Sequence, residues 1–458
     1  MKLKDIIKTV NAKVIGLNNN LSIDSISTDS RIIKKGELFI ALDGKHFCGC
    51  EFISDAVKKG ASAVITDNQR FVRKCTNAPL LIVKNARDAL SAIAKAHRDA
   101  FCIPFICVVG SNGKTTTKDL IGHILKARFK VLKTDENCNN EIGIAKTLLK
   151  LRDHDIAVIE AGTDSPGEIA CRSRIIRPDI VITTNIGMSH LQGLKTISGV
   201  LKEKIAMVKS LPKGGTWIKN LDDKALSVKS YKGIQTIGFA ITNRSAQCKA
   251  ENIKYTDSGI EFCVGEKVFS VPLLGRHNIY NSLAAIATAS IFMEQELIRE
   301  SLASFSSTPK RMQIYRYHKF KIINDTYNSN PDSLRSAVSA LTKMGKRGRK
   351  FLVCADMLEL GKRSSALHNA CGRFIAKSGA IDKLILYGRY ACDIGRGALD
   401  GGMKKTKIIE FKDKKNIVSF LKDQIAENDT VLVKGSRAMR MEKVVEAILP
   451  LATSLNKE

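Results

Sequence analysis

The stretch Val108-Val109-Gly110-Ser111-Asn112-Gly113-Lys114-Thr115-Thr116-Thr117 constrains this chain more than any other. Before it, the apolar run Phe105 to Val109 reads as a buried strand; after it, Lys118 to Leu125 spaces its apolar residues as a helix does. The order is strand, glycine-containing turn, helix. Gly110 and Gly113 lack a Cβ, so the backbone can turn tightly and aim successive N–H groups and a helix N-terminus at one anion. Gly110, Ser111, Asn112, Gly113, Lys114, Thr115 and Thr116 would then cradle the phosphates of ATP. Lys114 would reach the β- and γ-phosphates, and the Thr115 hydroxyl would take a place on Mg²⁺. The general phosphate-loop pattern has a further glycine where this chain has Val108. The bland alternative, a polar turn with a surface lysine, fits the flanking strand and helix less well.

The chain has 458 residues, too many for one ordinary core, and its length suggests about three domains. With 44% hydrophobic and 26% charged residues it reads as a soluble globular enzyme. The formal charge of +29 invites a nucleic-acid reading. The 74 Lys and Arg residues are scattered, however, with no basic tail and no aromatic-and-basic module. No nucleic-acid partner is expected, and the charge is assigned to a basic background that also attracts anionic nucleotides. The 12 cysteines lie between Cys48 and Cys392 without a Cys-x-x-Cys pair, which argues for reduced thiols in a cytoplasmic protein. Cys48-Gly49-Cys50 is the one close pair. No apolar run is long enough to span a bilayer and the N-terminus has no signal core, so no membrane insertion is expected.

Residues 1–84 read as a small α/β unit, with strands at 38–42, 63–65 and 80–83 and a helix from Phe52 to Lys59 closed by Gly60. Before them, the hydroxyls and guanidinium of Ser27-Thr28-Asp29-Ser30-Arg31 can hold a uracil edge and a diphosphate, although such a turn alone is ordinary loop chemistry. From the amphipathic helix 85–98 onward, strands and helices alternate, implying a mostly parallel sheet covered on both faces. The strand 156–159 ends in Glu160, a carboxylate placed to complete a Mg²⁺ shell or, more blandly, solvated. The strand 180–185 delivers His190, and a later helix carries Lys204; alone these read as a structural histidine and a solvated lysine. Downstream of a nucleotide loop both become candidates, because a lysine buried beside metal ions favours the neutral amine, which adds CO₂ to become an anionic carbamate. Asn278 opens the helix that runs to Ser290 and either contacts adenine or caps it. From about Arg311 a third α/β unit begins, with strands from Lys321, at 351–355, at 383–387 and at 430–433. These strands read as another open parallel sheet, its polar loops lie at strand carboxyl ends, where such sheets bind ligands, and residues 403–415 read as a lysine-rich solvated surface.

Together these motifs resemble the Mur ligase family over nearly the whole chain. The resemblance is carried by Thr28-Asp29-Ser30-Arg31 with residues 36–44, by Gly110 to Thr117, by Asn137 to Gly143, by Glu160-Ala161-Gly162 and by Thr184-Asn185-Ile186-Gly187 with His190-Leu191. It continues through Gly275-Arg276-His277-Asn278, Asp325 to Pro331, Asp356-Met357-Leu358-Glu359-Leu360-Gly361 and Lys434-Gly435-Ser436-Arg437. The last three point to the member that adds D-alanyl-D-alanine; the Asp-Asn-Pro-Arg motif of the sibling that adds diaminopimelate or lysine is absent.

The resemblance implies an α/β chain of three domains. A small N-terminal α/β domain (1–84) would bind the UDP substrate, a central phosphate-loop ATPase-like parallel sheet (85–309) would bind ATP, and a C-terminal Rossmann-like sheet (310–458) would bind the dipeptide. The implied reaction is ATP-dependent amide formation. The terminal carboxylate of UDP-N-acetylmuramoyl-tripeptide attacks the γ-phosphate, giving an acyl phosphate and ADP, and the amine of D-alanyl-D-alanine then displaces phosphate. By this resemblance Lys114 and two Mg²⁺ ions supply charge. Thr115 and Glu160 hold the first ion, while His190 and a carbamylated Lys204 support the second. Asn278, Arg311 and Asp325 hold the nucleotide, Ser30 and Arg31 hold the uridine diphosphate end, and Asn139, Asn140 and Thr163 line the path to the reacting carboxylate. The expected state is a monomer in the cytoplasm.

Three stretches depart from the family pattern. Phe47-Cys48-Gly49-Cys50 stands where Phe-Asp-Gly-His is usual, Ala355 replaces a glycine, and the segment Gln192 to Ser198 lacks the usual acidic residues. The rival readings are another ligase of the same fold, such as a folylpolyglutamate or cyanophycin-type enzyme, and a nucleotide-hydrolysing switch that joins nothing.

Overall fold

The computed structural model describes the chain except residues 17–20, 45, 69–77, 257–258, 307–308, 317–319, 345–346 and 450–458. Short runs rich in β-branched and aromatic residues build four sheets, and the strands apolar at nearly every position are those buried on both faces. The first sheet has the order β1-β5-β4-β3-β2, from β1 (Lys13–Ile15), β2 (Ile26–Ser27), β3 (Leu38–Ile40), β4 (Ala63–Thr66) and β5 (Leu80–Ile82). It is parallel apart from β1, which runs antiparallel to β5.

The second sheet has seven strands in the order β12-β11-β10-β9-β6-β8-β7. These are β6 (Phe105–Val109), β7 (Val131–Lys133), β8 (Ile156–Glu160), β9 (Ile180–Thr183), β10 (Thr216–Asn220), β11 (Gln235–Ala240) and β12 (Cys248–Lys249). A three-stranded antiparallel sheet follows, formed by β13 (Glu251–Tyr255), β14 (Ile260–Val264) and β15 (Lys267–Val271). The last sheet has the order β16-β17-β21-β18-β19-β20, from β16 (Gln313–Arg316), β17 (Lys321–Asp325), β18 (Lys350–Ala355), β19 (Lys383–Tyr387), β20 (Ile408–Phe411) and β21 (Thr430–Lys434). The α/β class with a central parallel sheet is as expected. The chain packs as two compact units, one of residues 1–107, 129–162 and 169–179, the other of residues 108–128, 163–168 and 180–458.

Several details correct the sequence reading. The last sheet is not wholly parallel, because β16 pairs antiparallel with β17. The lysine-rich segment 403–415 contains a strand, since Ile408 and Ile409 pair with β19 and half-bury between the lysines. Where the sequence reads as a polar turn over 136–143 and a helix over 144–151, the helix spans Glu141–Leu148, because the Asn140 side chain accepts the Gly143 N–H and starts it earlier. Cys48 and Cys50 are joined by a disulfide, whereas the other described cysteines are free thiols as expected; Cys75 lies outside the described residues. Among the described residues no helix is long and apolar enough to cross a membrane.

The central strand β21 shows how the last sheet is held. Leu432 packs into one core with Ile323, Leu352 and Leu384, while Val431 and Val433 face another core with Ile322, Phe351 and Val353. Leu432→Ala should therefore cost about 2–5 kcal/mol of stability in denaturant unfolding. Leu399, 44% exposed on its helix, should tolerate alanine within about 0.5 kcal/mol. Equal effects would contradict this core assignment.

Candidate active site

In the first unit, two groups of expected residues are formed. The Asp29-Ser30-Arg31 turn is tied to the helix Ile53–Lys58 through Lys59, whose ammonium donates to the carbonyls of Ser30 (3.1 Å) and Arg31 (3.3 Å). The Arg31 fork is occupied by its neighbour, with Nε and Nη2 donating to the Asp29 carboxylate at 2.9 and 2.7 Å. Those bonds hold the Asp29 carboxyl down at about 2. The second group lies at the end of β8. Glu160, 4% exposed, accepts a hydrogen bond from Asn139 Nδ2 at 2.8 Å. Asn140 is a helix cap, its side chain engaged by the Gly143 N–H at 2.9 Å.

The end of β6 runs into the glycine turn and the helix Lys114–Leu125 of the second unit, as the sequence indicates. The Ser111 N–H donates to the Asn185 carbonyl at 2.9 Å, and the Asn112 N–H to Asn185 Oδ1 at 3.0 Å. The Asn112 carbonyl in turn accepts from Thr184 Oγ1 at 2.6 Å and Asn185 Nδ2 at 3.0 Å. Gly113 has φ +81°, and a Cβ there would lie 2.2 Å from Asn281 Oδ1; one on Gly110 would lie 1.9 Å from Thr184 Oγ1. The Lys114 ammonium folds back onto the turn, donating to the Gly110 carbonyl at 2.8 Å and the Ser111 carbonyl at 3.3 Å. Thr115 and Thr116 are buried in the first helical turn.

Residues beyond 310 meet this turn. Arg311 Nη2 donates to Thr115 Oγ1 at 2.8 Å while its guanidinium stacks 3.6 Å above the Tyr327 ring. Asn330 Nδ2 donates to Asn112 Oδ1 at 2.7 Å, and the Met188 N–H donates to Asp332 at 3.0 Å. Asp325 bonds the Lys434 ammonium at 2.6 Å and the Met312 N–H at 3.2 Å. Asn278 is buried; its Nδ2 donates to the Leu274 carbonyl and its Oδ1 accepts from Asn281, both at 2.8 Å. Within this structure its side chain serves the helix start.

His190 adopts a left-handed backbone (φ 52°), and its Nδ1 lies 2.8 Å from Asp164 Oδ1 and 3.0 Å from Glu359 Oε2. Burial would lower its pKa, but the two carboxylates outweigh burial and hold it above the ordinary histidine value. Asp164, His190 and Glu359 are close enough to share a cation, a grouping the sequence did not reveal. The Glu359 motif was visible without a role, and Asp164 carried no signal. Thr163 sits in a loop held by acids: its hydroxyl lies 3.1 Å from Glu168 Oε2 and 3.4 Å from Glu203 Oε1, and the Gly167 N–H donates to Glu203 at 2.7 Å. Lys204, the next residue on the helix Ile197–Val208, is fully buried.

Gly113→Ala places a side chain in a left-handed conformation costing roughly 1–2 kcal/mol before any clash. It should weaken nucleoside-triphosphate binding at least about tenfold by calorimetry; an unchanged Kd would remove the turn from the site. His277 supplies a stability prediction. Burial lowers its pKa from 6.5 to about 4, so between those values the unfolded chain takes up a proton that the folded chain does not. Stability should fall as pH falls through that window, and His277→Gln should flatten this part of the unfolding profile; an unaltered profile would contradict the assignment.

Comparison with protein families matches the Mur ligase family catalytic domain to residues 22–98, the Mur ligase middle domain to residues 108–289 and the Mur ligase glutamate ligase domain to residues 310–437. The chain is 33% identical over 436 residues to UDP-N-acetylmuramoyl-tripeptide--D-alanyl-D-alanine ligase of Bacillus subtilis, covering 93% of each chain. Its fold is similar to MurF from Acinetobacter baumannii, with a TM-score of 0.88, 26% identity and 98% of each chain covered. It is also similar to the Thermotoga maritima MurF ligase solved in complex with ADP, with a TM-score of 0.84, 26% identity and coverage of 96% of this chain and 100% of that one. The chain belongs to the Mur ligase family.

Proposed function

We infer that this chain is an ATP-dependent ligase that joins D-alanyl-D-alanine to UDP-N-acetylmuramoyl-tripeptide in peptidoglycan precursor synthesis. The observation that carries this reading is a preformed phosphate turn inside a chain that matches ligases of this name along nearly its whole length. We assign residues 1–84 to the nucleotide-substrate part, 85–309 to the ATP part and 310–458 to the dipeptide part, in a cytoplasmic monomer.

With the Ser111 and Asn112 N–H groups held by Asn185, the turn offers the N–H groups that follow Asn112, at the start of the helix Lys114–Leu125, to the triphosphate. The Lys114 ammonium exchanges its carbonyl partners for phosphate oxygens, a stronger charge-assisted bond. Arg311 leaves Thr115 Oγ1 for the nucleotide, while its stacking on Tyr327 keeps the guanidinium in place. Asn278 and Asp325 border the nucleotide, and Ser30 and Arg31 hold the uridine diphosphate. Asn139, Asn140 and Thr163 orient the tripeptide carboxylate. The buried carboxylate of Glu160 and the buried hydroxyl of Thr115 are each donors of the kind hard cations take. Thr115 and Glu160 would hold one Mg²⁺, His190 and a carbamylated Lys204 the second; when bound, magnesium neutralises the phosphate and carboxylate charges that must meet. The buried position of Lys204 suits a carbamate, which a hydrated surface lysine does not form stably.

Phosphate release should require both D-alanyl-D-alanine and the nucleotide tripeptide; release from ATP alone would favour a nucleotide-hydrolysing switch. Lys114→Ala should abolish turnover. Lys204→Ala should lose activity that added short carboxylates partly restore, and normal turnover in both variants would refute the site.

A further inference from the structure

The Cys48–Cys50 disulfide lies in the part of the chain assigned to the nucleotide substrate, where the sequence departs from its family. Disulfides inside reducing compartments are mostly transient and redox-sensing. This one is wired to the Ser30–Arg31 turn through a short run of contacts. Cys50 is 2% exposed and packs with Ile33, Phe39, Ala41 and Ile53, whereas Cys48 is half-buried and follows the exposed Phe47. Between them, Gly49 lies against the backbone of Leu42, where a Cβ would come within 2.4 Å of the Leu42 carbonyl oxygen, and its N–H donates to Asp43 Oδ1 at 2.8 Å. A single turn (Gly49–Phe52), which starts between the two cysteines and contains Cys50, leads into the helix Ile53–Lys58. The residue closing that helix, Lys59, holds the carbonyls of Ser30 and Arg31.

We propose that Cys48 and Cys50 form a thiol–disulfide exchange site for low-molecular-weight thiols and disulfides, and that its oxidation state sets the affinity for the nucleotide tripeptide. The second half rests on the uridine-site reading above; the first does not. In oxidation by a small disulfide RSSR, the Cys48 thiolate attacks one sulfur and releases RS⁻. The Cys50 thiolate then attacks Cys48 Sγ in the mixed disulfide and releases the second RS⁻. The two leaving thiolates take up the two protons lost by the cysteines, so one disulfide forms as RSSR is reduced to two RSH. On reduction two separate thiols need more room than a bonded pair. Cys50 is fixed in the core, so Cys48 moves outward, releasing the Gly49 contact with Asp43 and loosening the turn that anchors the helix. The oxidised form is therefore the tight-binding form.

The test equilibrates the full-length protein in buffers of reduced and oxidised glutathione, quenches exchange with acid, unfolds the protein so that the buried Cys50 is reached, alkylates free thiols and maps the peptides by mass spectrometry. Cys48 and Cys50 should be alkylated in reducing buffer and protected as a pair in oxidising buffer. KM for the nucleotide tripeptide should be about fivefold higher in reducing buffer, at the low end of site-to-site coupling, with KM for ATP unchanged. Cys48→Ser should remove the redox dependence of KM without touching the buried Cys50. Alkylation of both cysteines in every buffer would overturn the exchange site. Protection of the pair with equal KM values, or a redox-dependent KM that persists in Cys48→Ser, would overturn the coupling. Absence of turnover in both buffers, with protection intact, would instead count against the ligase reading and against the affinity half that depends on it.

Discussion

The arrangement around the phosphate turn depends on the Asn112 carbonyl being held from behind. Thr184 and Asn185 both donate to it, and Asn185 also accepts the Ser111 and Asn112 N–H groups through its backbone and side-chain oxygens. A turn that aims N–H groups outward exposes its carbonyls on the other side, where each needs a donor. The residues after β9 supply those donors, so the shape is fixed before any anion arrives. Close approach of Thr184 and Asn281 leaves no room for a side chain at Gly110 or Gly113. Preorganisation of this kind reduces the ordering cost of binding.

The same turn is the meeting point for residues beyond 310. Asn330 caps the helix Pro331–Lys343, its Oδ1 accepting the Ser333 N–H, and uses its Nδ2 to reach Asn112. Asp332, two residues later, holds the Met188 N–H, and a Cβ on Gly187 would lie 2.4 Å from it. One helix start thereby touches both the phosphate turn and the loop leading to His190. The neighbouring motif Asp356 to Gly361 divides its work. Asp356 accepts the N–H groups of Arg389, Tyr390 and Ala391 at the start of the helix Ala391–Asp400, while Glu359 reaches His190.

What the sequence made legible was local. The strand, turn and helix at 105–125 could be read because the glycines, the lysine and the apolar spacing are contiguous, and the buried strands announced themselves as unbroken apolar runs. Roles that depend on distant partners were not legible in the same way. Asp164 and Glu359 meet at His190 across almost two hundred residues, with no spacing rule to join them. Arg31 offered a fork for phosphate, yet its nearest acid two residues away occupies that fork in the structure. Asn278 was balanced between adenine and a structural role, and only the positions of Leu274 and Asn281 show how its amide is used here. The antiparallel edge at β16 was missed because Gln313–Arg316, half-buried at three positions and exposed at the fourth, lacks a continuous apolar run.

The charge distribution carries a last consequence. The chain as a whole is basic, with a formal charge of +29, and this long-range field favours encounter with anionic nucleotides. Around His190 the local balance reverses, because Asp164, Glu168, Glu203 and Glu359 gather on the loop 163–168 and its neighbours. Two of these acids are used up in shaping the loop, Glu168 by the Asp164 N–H and Glu203 by the Gly167 N–H. An anionic substrate entering such a region gains nothing from the distant lysines once salt screens them beyond about 10 Å. The compensating charge must therefore be local, and the structure supplies it as one ammonium folded onto the turn and one guanidinium stacked beside it.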